Sequence, residues 1–179
     1  MGYSNKFILA FNNLMELEGG KVTDHAGATN YGITLRNLVN VGDLDFDKNQ
    51  NGVLDKQDLW AFTVIDAKKY VFKYWWKKTK LISIDHSEVA IKALDICFNF
   101  GMPRGIRTIQ KSCNNLSYRK IKEDGVIGPI TLARINSLCP ISLLKKMRIN
   151  QKFWYLRLIA RDPEKYNQYR KGWLRRAST

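Results

Sequence analysis

Apolar positions along the chain recur mostly at helical spacing. Phe7, Phe11, Leu14 and Glu18 fall at i, i+4, i+7 and i+11, and Gly19 follows as a stop. The pattern therefore predicts an amphipathic helix over residues 5–18 whose inner stripe ends at Glu18. Residues 19–34 lose that period and become Gly-rich with short β-type runs, which predicts a loop or small β-hairpin. Thr63 with Asp66 reads as a capping box opening a helix to about Lys78. Asp85 or Ser87 caps SEVAIKALDICFNFG, which stops at Gly101. Further helices are predicted from Pro103 or Arg104 to about Asn114, from Pro129 to about Leu138, and through ISLLKKMRINQKFWYLRLIAR after Pro140. Asp162 in Asp-Pro-Glu caps the last one, with Tyr166, Tyr169 and Trp173 on one stripe. The expectation is a mainly α fold in one domain over residues 1–179, extended only near residues 19–34.

A chain of 179 residues with 45% apolar content suffices for one core. Charge interrupts every apolar run well short of the roughly 18 residues of a membrane span, so no membrane insertion is expected. MGYSNKFILAFNNLMELEGG lacks a secretory cleavage pattern. The chain is expected to be made in a cytoplasm and to leave it by another route. Cys97, Cys113 and Cys139 are odd in number and widely spaced, which fits reduced, buried thiols better than disulfides or a metal. The formal charge of +14 calls for an anionic partner, and eleven Lys or Arg against Asp162 and Glu164 fall in the last 35 residues. Nucleic acid, acidic membranes and bacterial envelopes all meet that requirement. No helix-turn-helix, zinc or RNP signature supports nucleic acid.

Two glutamates precede Gly19-Gly20, about 200° apart on a helix, so they cannot share a face. Glu16 joins Asn5, Asn12 and Asn13 on the polar side, whereas Glu18 ends the apolar stripe at the carbonyl end of the helix. Partial burial and the macrodipole would both raise its pKa toward the range of a general acid. Asp24, Thr29 and Thr34 lie in the following loop, where a second group could hold water against a sugar carbon. Asn30 and Tyr31 offer an amide and a ring face suited to an N-acetyl sugar. The plainer readings are a helix-end carboxylate satisfied by loop amides and, for Asp24 and Thr29, turn formation.

ELEGGKVTDHAGATNYGIT resembles the Glu-Gly-Gly, Asp, Gly, Thr, Tyr-Gly-Ile-Thr signature of glycoside hydrolase family 108, N-acetylmuramidases of the lysozyme-like superfamily. KKYVFKYWWKK and VAIKALDICFNFG are similar to that family's Tyr-rich helix and its Phe-Asp-x-x-x-Asn-x-Gly helix. IKEDGVIGPITLARI resembles its peptidoglycan-binding element, and FWYLRLIARDPEKYNQYRKGWLRRA its closing signature. The resemblance implies a lysozyme-like fold, with a catalytic lobe over 1–100 and a helical, peptidoglycan-binding portion over 101–179. It implies hydrolysis of the β-1,4 bond between N-acetylmuramic acid and N-acetylglucosamine, with Glu18 as catalytic acid. Asp24 and Thr29 take the places of the Asp and Thr that follow the glutamate in phage-type lysozymes, and Asn99 becomes a candidate substrate contact. Leu17 stands where the family usually has His, and DHAGA is shorter than its Asp-Pro-Gly-Gly loop. His25 and His86 match no family role and read as surface residues.

DKNQNGVLDKQDL fits a calcium loop, with Asp47, Asn49, Asn51, the Val53 carbonyl and Asp58 at positions 1, 3, 5, 7 and 12, and Gly52 at the turn. The alternative is a metal-free Asx-turn loop capping a helix at Asp58. Tryptophans at helical spacing are mostly core, and Trp75 and Trp76 point about 100° apart, so one of them is a candidate cleft wall. The expected function is a monomeric peptidoglycan hydrolase acting as an endolysin. It would use no catalytic cofactor, carry a candidate structural calcium and reach the wall through a separate holin or export partner. A non-catalytic wall-binding module and a cationic nucleic-acid-binding protein are the competing readings.

Overall fold

The computed structural model describes residues 2–17, 22–24 and 27–179, with residues 22–24 described by their backbone. The first helix, α1 (Asn5–Leu17), buries Phe7, Ala10, Phe11 and Leu14 and leaves Glu16 exposed, as its period predicts. A small antiparallel sheet follows, β1 (Val22–Asp24), β2 (Gly27–Asn30) and β3 (Ile33–Thr34), in the order β1-β2-β3. Tyr31 (φ 50) and Gly32 (φ 72) form the two-residue turn between β2 and β3. Two consecutive positive φ values match the twist of a tight hairpin, and Gly32 adopts its value without steric cost.

Thr34 ends β3 and caps α2 (Leu35–Val41) by accepting the Asn37 N–H. The apolar period did not predict this seven-residue helix, nor α3 (Lys56–Ala61), which Asp55 caps. Thr63 opens α4 (Val64–Val71) with the predicted capping box. The predicted helix to Lys78 departs from α geometry at Phe72–Lys77, which forms a π-helical turn. Trp75 and Trp76 are both buried, at 6% and 0%, although ideal helical spacing would separate them by about 100°. Trp75 packs on Phe98, with ring centroids 4.8 Å apart, while Trp76 packs on Phe7 of α1.

The long α5 (Ser87–Phe100) is the core of the molecule and packs against α1, α6 (Met102–Asn115) and α8 (Pro140–Arg161). Its N-cap is His86, which makes no side-chain cap bond, in place of the predicted Asp85 or Ser87. The helices α5 and α6 approach so closely that a Cβ on Gly105 would lie 2.5 Å from the Cys97 Cα. The Asp-Gly-Val-Ile-Gly-Pro loop clamps onto α6 through buried Gln110, which donates to Asp124 Oδ1 and the Val126 carbonyl and accepts from the Gly125 N–H. Pro129 starts α7 (Pro129–Ser137), and α9 (Pro163–Tyr166) and α10 (Arg170–Ser178) close the chain. Cys97 and Cys113 are buried as expected, but Cys139 is exposed at the N-cap of α8. No described helix is long and apolar enough to cross a membrane.

Candidate functional site

The described part of α1 ends at Leu17, the residue before Glu18. Glu18 and His25 lie outside the described residues. The hairpin that follows pairs Asp24 with Gly27 and Val22 with Thr29, so the backbones of Asp24 and Thr29 occupy adjacent strands. Thr29 also pairs with Thr34 and is half-buried, on the opposite face from buried Ala28 and Asn30. Asn30 is not open to a ligand. It is 1% exposed, and its amide donates to the Leu59 carbonyl at 2.8 Å, tying the sheet to α3. A buried amide is stable only with such a partner, so the hairpin took as structure what its sequence offers as recognition. Tyr31 is half-buried and packs against the core from the turn.

Asn99 stands exposed in the last turn of α5, and its Oδ1 accepts from Tyr155 Oη at 2.7 Å. With its carbonyl engaged, its amide N–H groups are the part left to donate. Tyr155 accepts from Gln151 Nε2 at 3.3 Å, and the same nitrogen reaches Asp95 Oδ2 at 3.1 Å. Asp95 is 2% exposed and also accepts from Lys92 Nζ at 3.1 Å and Arg176 Nε at 2.6 Å. A buried polar chain thus runs from α10 and α5 through α8 to the exposed Asn99. Burial holds the Lys92 ammonium below its ordinary pKa despite the opposing pull of Asp95.

Two residues beyond Asn99, Gly101 borders a cleft of about 350 Å³ whose walls include Asn37, Asn40, Tyr74, Trp75, Lys78 and Met102. Of these, the sequence pointed only to the Trp75–Trp76 pair. Asn37 and Asn40 come from the helix that the apolar period did not reveal. The Tyr74 hydroxyl donates to Asp43, which also accepts from Lys73 at 2.6 Å. Partial burial would raise the Asp43 carboxyl, but donation from Lys73, Tyr74 and the Asp45 N–H holds it below the carboxylate range. Its hydroxyl being committed, Tyr74 offers the cleft chiefly a ring.

In the loop between α2 and α3, Asp47 Oδ2 accepts the Gly52 N–H at 2.7 Å, Asn49 the Asn51 N–H, and Asn51 the Val53 N–H. Asp58 is completely buried, and its two oxygens accept from the N–H groups of Lys48, Asn49 and Asp55. It is the third residue of α3, in a capping box with Asp55, and does not itself cap the helix. Among the described residues Asp47 Oδ1 is buried without a hydrogen-bond partner.

Residues 11–101 match the family described as glycosyl hydrolase 108, and residues 104–178 match one described as a predicted peptidoglycan domain. No curated protein matches the sequence. Among solved structures, "Structure of Brucella abortus SagA" aligns with a TM-score of 0.71 at 24% identity, over 96% of this chain and 89% of that one. That likeness shows the fold, a lysozyme-like, mainly α architecture. With half of its length inside the first match, the chain belongs to the glycosyl hydrolase 108 family.

Proposed function

We propose that this peptidoglycan hydrolase is an N-acetylmuramidase. It cleaves the β-1,4 bond between N-acetylmuramic acid and N-acetylglucosamine by general acid catalysis, with Glu18 as the acid. The observation that carries the reading is the buried stripe of α1. Phe7, Phe11 and Leu14 are each at most 1% exposed, and the next position of that stripe is Glu18. The sequence thus puts a carboxyl, the group a general acid requires, next in line after three buried apolar residues. Glu18 gives its proton to the bridging oxygen as the bond from the sugar C1 to that oxygen breaks. Water held by Asp24 and Thr29 adds to C1, and its proton passes to a carboxylate. The Asn99 amide donates to a glycan oxygen, and the neighbouring cleft offers the amides of Asn37 and Asn40 and the ring faces of Tyr74 and Trp75 to an N-acetyl sugar.

The test is clearing of purified peptidoglycan by the wild type and by Glu18→Gln and Glu16→Gln variants, with reducing-end analysis of the products. Loss of clearing in Glu18→Gln alone, with muramic acid at the new reducing ends, is the expected result. Equal clearing by all three proteins would remove Glu18 from the mechanism. Reducing-end glucosamine would replace the bond assignment. The charge of +14 favours approach to an anionic wall and fits an endolysin released through a separate membrane pore.

We also propose that the 47–58 loop takes a weakly held structural calcium ion. Asp47 Oδ1, buried and without a hydrogen-bond partner among the described residues, supports this. Most other carboxylate and amide oxygens of the proposed ligands already accept a backbone N–H, which limits how strongly they compete for a cation.

A further inference from the structure

The two helices that form the C-terminal half of the core leave a charged groove between them. On α6, Arg104, Arg107 and Lys111 recur at i, i+3 and i+7, all exposed. Across from them on α8, Asn150, Phe153, Trp154 and Arg157 recur at i, i+3, i+4 and i+7. Both rows line one groove of about 270 Å³. Helical rise over seven residues makes each row about 10 Å long.

Among the described residues, these four cations meet one acid in the groove. Among the described residues no carboxylate pairs with Arg104, Arg107, Lys111 or Arg157. Arg107 reaches only the Asp124 carbonyl, at 3.4 Å. Arg104 lies over the Trp154 ring at 4.7 Å, and Arg157 over Phe153 at 5.9 Å. That acid, Glu123, accepts from the Asn114 amide. Phe153 is 54% exposed, an apolar surface that packing within this chain does not use.

Four cations on two facing rows, each about 10 Å long and set among aromatic faces and an amide, ask for a short linear ligand that carries several anions and small apolar groups together. Guanidinium forks match carboxylates two bonds at a time. An extended peptide advances about 3.3–3.6 Å per residue, so about three residues span the groove. A phosphate-bearing polyol would supply the charges but nothing for Phe153 and Trp154. We propose that the α6–α8 groove binds the carboxylate-bearing peptide stem of peptidoglycan. The inference rests on the reading of the chain as a peptidoglycan hydrolase and assigns stem recognition to a groove on the segment that matches the peptidoglycan domain.

The test uses the full chain and a soluble probe, so that its readout does not depend on hydrolysis. A disaccharide carrying its peptide stem and the same disaccharide without the stem are titrated into wild type, into an Arg107→Glu/Lys111→Glu variant and into Lys111→Gln. Circular dichroism confirms folding, and Lys111→Gln serves should the charge-reversed protein not fold. The stem-bearing probe should bind wild type at least about tenfold more tightly than the stemless one, and charge reversal should abolish the difference. Lys111→Gln should weaken only the stem-bearing probe. Equal binding of the two probes by wild type, or an undiminished preference in the folded variants, would overturn the inference. Co-sedimentation with sacculi adds a second arm, in which binding should survive removal of attached phosphate polymers and fall when the stems are removed. The reverse pattern would reassign the groove to phosphate. Intact wall clearing with no stem preference refutes this inference alone, whereas stem preference without any clearing refutes the muramidase reading alone.

Discussion

Replacing Asp95 with alanine should be among the most destabilising single changes in the protein. The carboxylate is 2% exposed and accepts from Arg176, Lys92 and Gln151, and the two cations are themselves only 8% and 4% exposed. Removing it takes from two buried positive charges the carboxylate that both reach, while Lys92 Nζ keeps the neutral Arg176 carbonyl at 2.9 Å. Breaking a buried pair from one side costs about 3–5 kcal/mol, a large part of the roughly 5–15 kcal/mol that holds a domain folded. With a urea dependence near 2–3 kcal/mol per molar, the midpoint should fall by about 1–2 M, read by tryptophan fluorescence. Asp45→Ala is the control, because its pair with Lys69 is about half exposed on both sides and should cost less than about 1 kcal/mol. The variant should also show a distinct pH dependence. Burial already holds the Lys92 pKa down, and losing Asp95 removes the main opposing influence. Between the folded pKa and the ordinary 10.5 the unfolded chain binds more protons, so the variant should gain stability as pH rises through that window. A midpoint shift as small as that of Asp45→Ala would show that the network is no better than a surface pair and would refute the reasoning.

Gly105→Ala should lose about 1–3 kcal/mol to overpacking, because the new Cβ meets the Cys97 backbone at 2.5 Å and 2.9 Å, partly offset by about 1 kcal/mol of helix propensity; thermal melting reads the net sign. A thiol reagent should modify Cys139 quickly in the native protein and Cys97 and Cys113 only on unfolding, because burial pushes the latter two up to about 12 while the Ser142 N–H and hydroxyl lower the exposed Cys139; release of three equivalents at once would refute the burial assignment. Acid should weaken the lobe around α4, because the Asp43 and Asp66 carboxyls are held below 3.8, Asp43 by Lys73, Tyr74 and a backbone N–H and Asp66 by Lys48 and Thr63, all against burial. Their contribution is complete above the unfolded value and is lost as pH falls through the folded one, so Asp43→Asn should flatten the acid limb of the stability curve. Millimolar calcium should raise the melting temperature of wild type and leave Asp47→Ala unmoved; no shift in wild type would leave the loop a self-satisfied Asx turn.

Long periodic segments carried most of the fold in the sequence. The stripe of α1, the apolar run of α5 and the prolines at the starts of α7 and α8 each announced an element, because burial of one face dictates the period. Short elements were hidden. With seven and six residues, α2 and α3 have too few turns to display a period and form because Thr34 and Asp55 cap them. The π-helical turn was also illegible, since its register serves the packing of Trp75 on Phe98 and Trp76 on Phe7, contacts between residues far apart in the chain. Within the site, Glu18 stood out as the next position of an apolar stripe, and Asn99 by resemblance. Asn37 and Asn40 gave no signal because their helix was not seen. Sequence does not distinguish the Asn30 amide from a recognition amide, because the two look alike until a partner such as the Leu59 carbonyl is in place.

The same contacts decide how the two family segments relate. Sequence similarity divides the chain between residues 101 and 104, yet the core does not divide there. Within the first segment, α5 lays the Cys97 backbone against Gly105 of the second, and its Asp95 is held by Gln151 and Arg176 of the second. Asn99, on the first segment, takes its orientation from Tyr155 on the second. A chain cut after Gly101 would expose the inner face of α5 and leave Lys92 and Asp95 without Arg176 and Gln151. The helical C-terminal portion therefore completes the core beneath the first segment. Neither segment made alone should reproduce the urea midpoint of the whole.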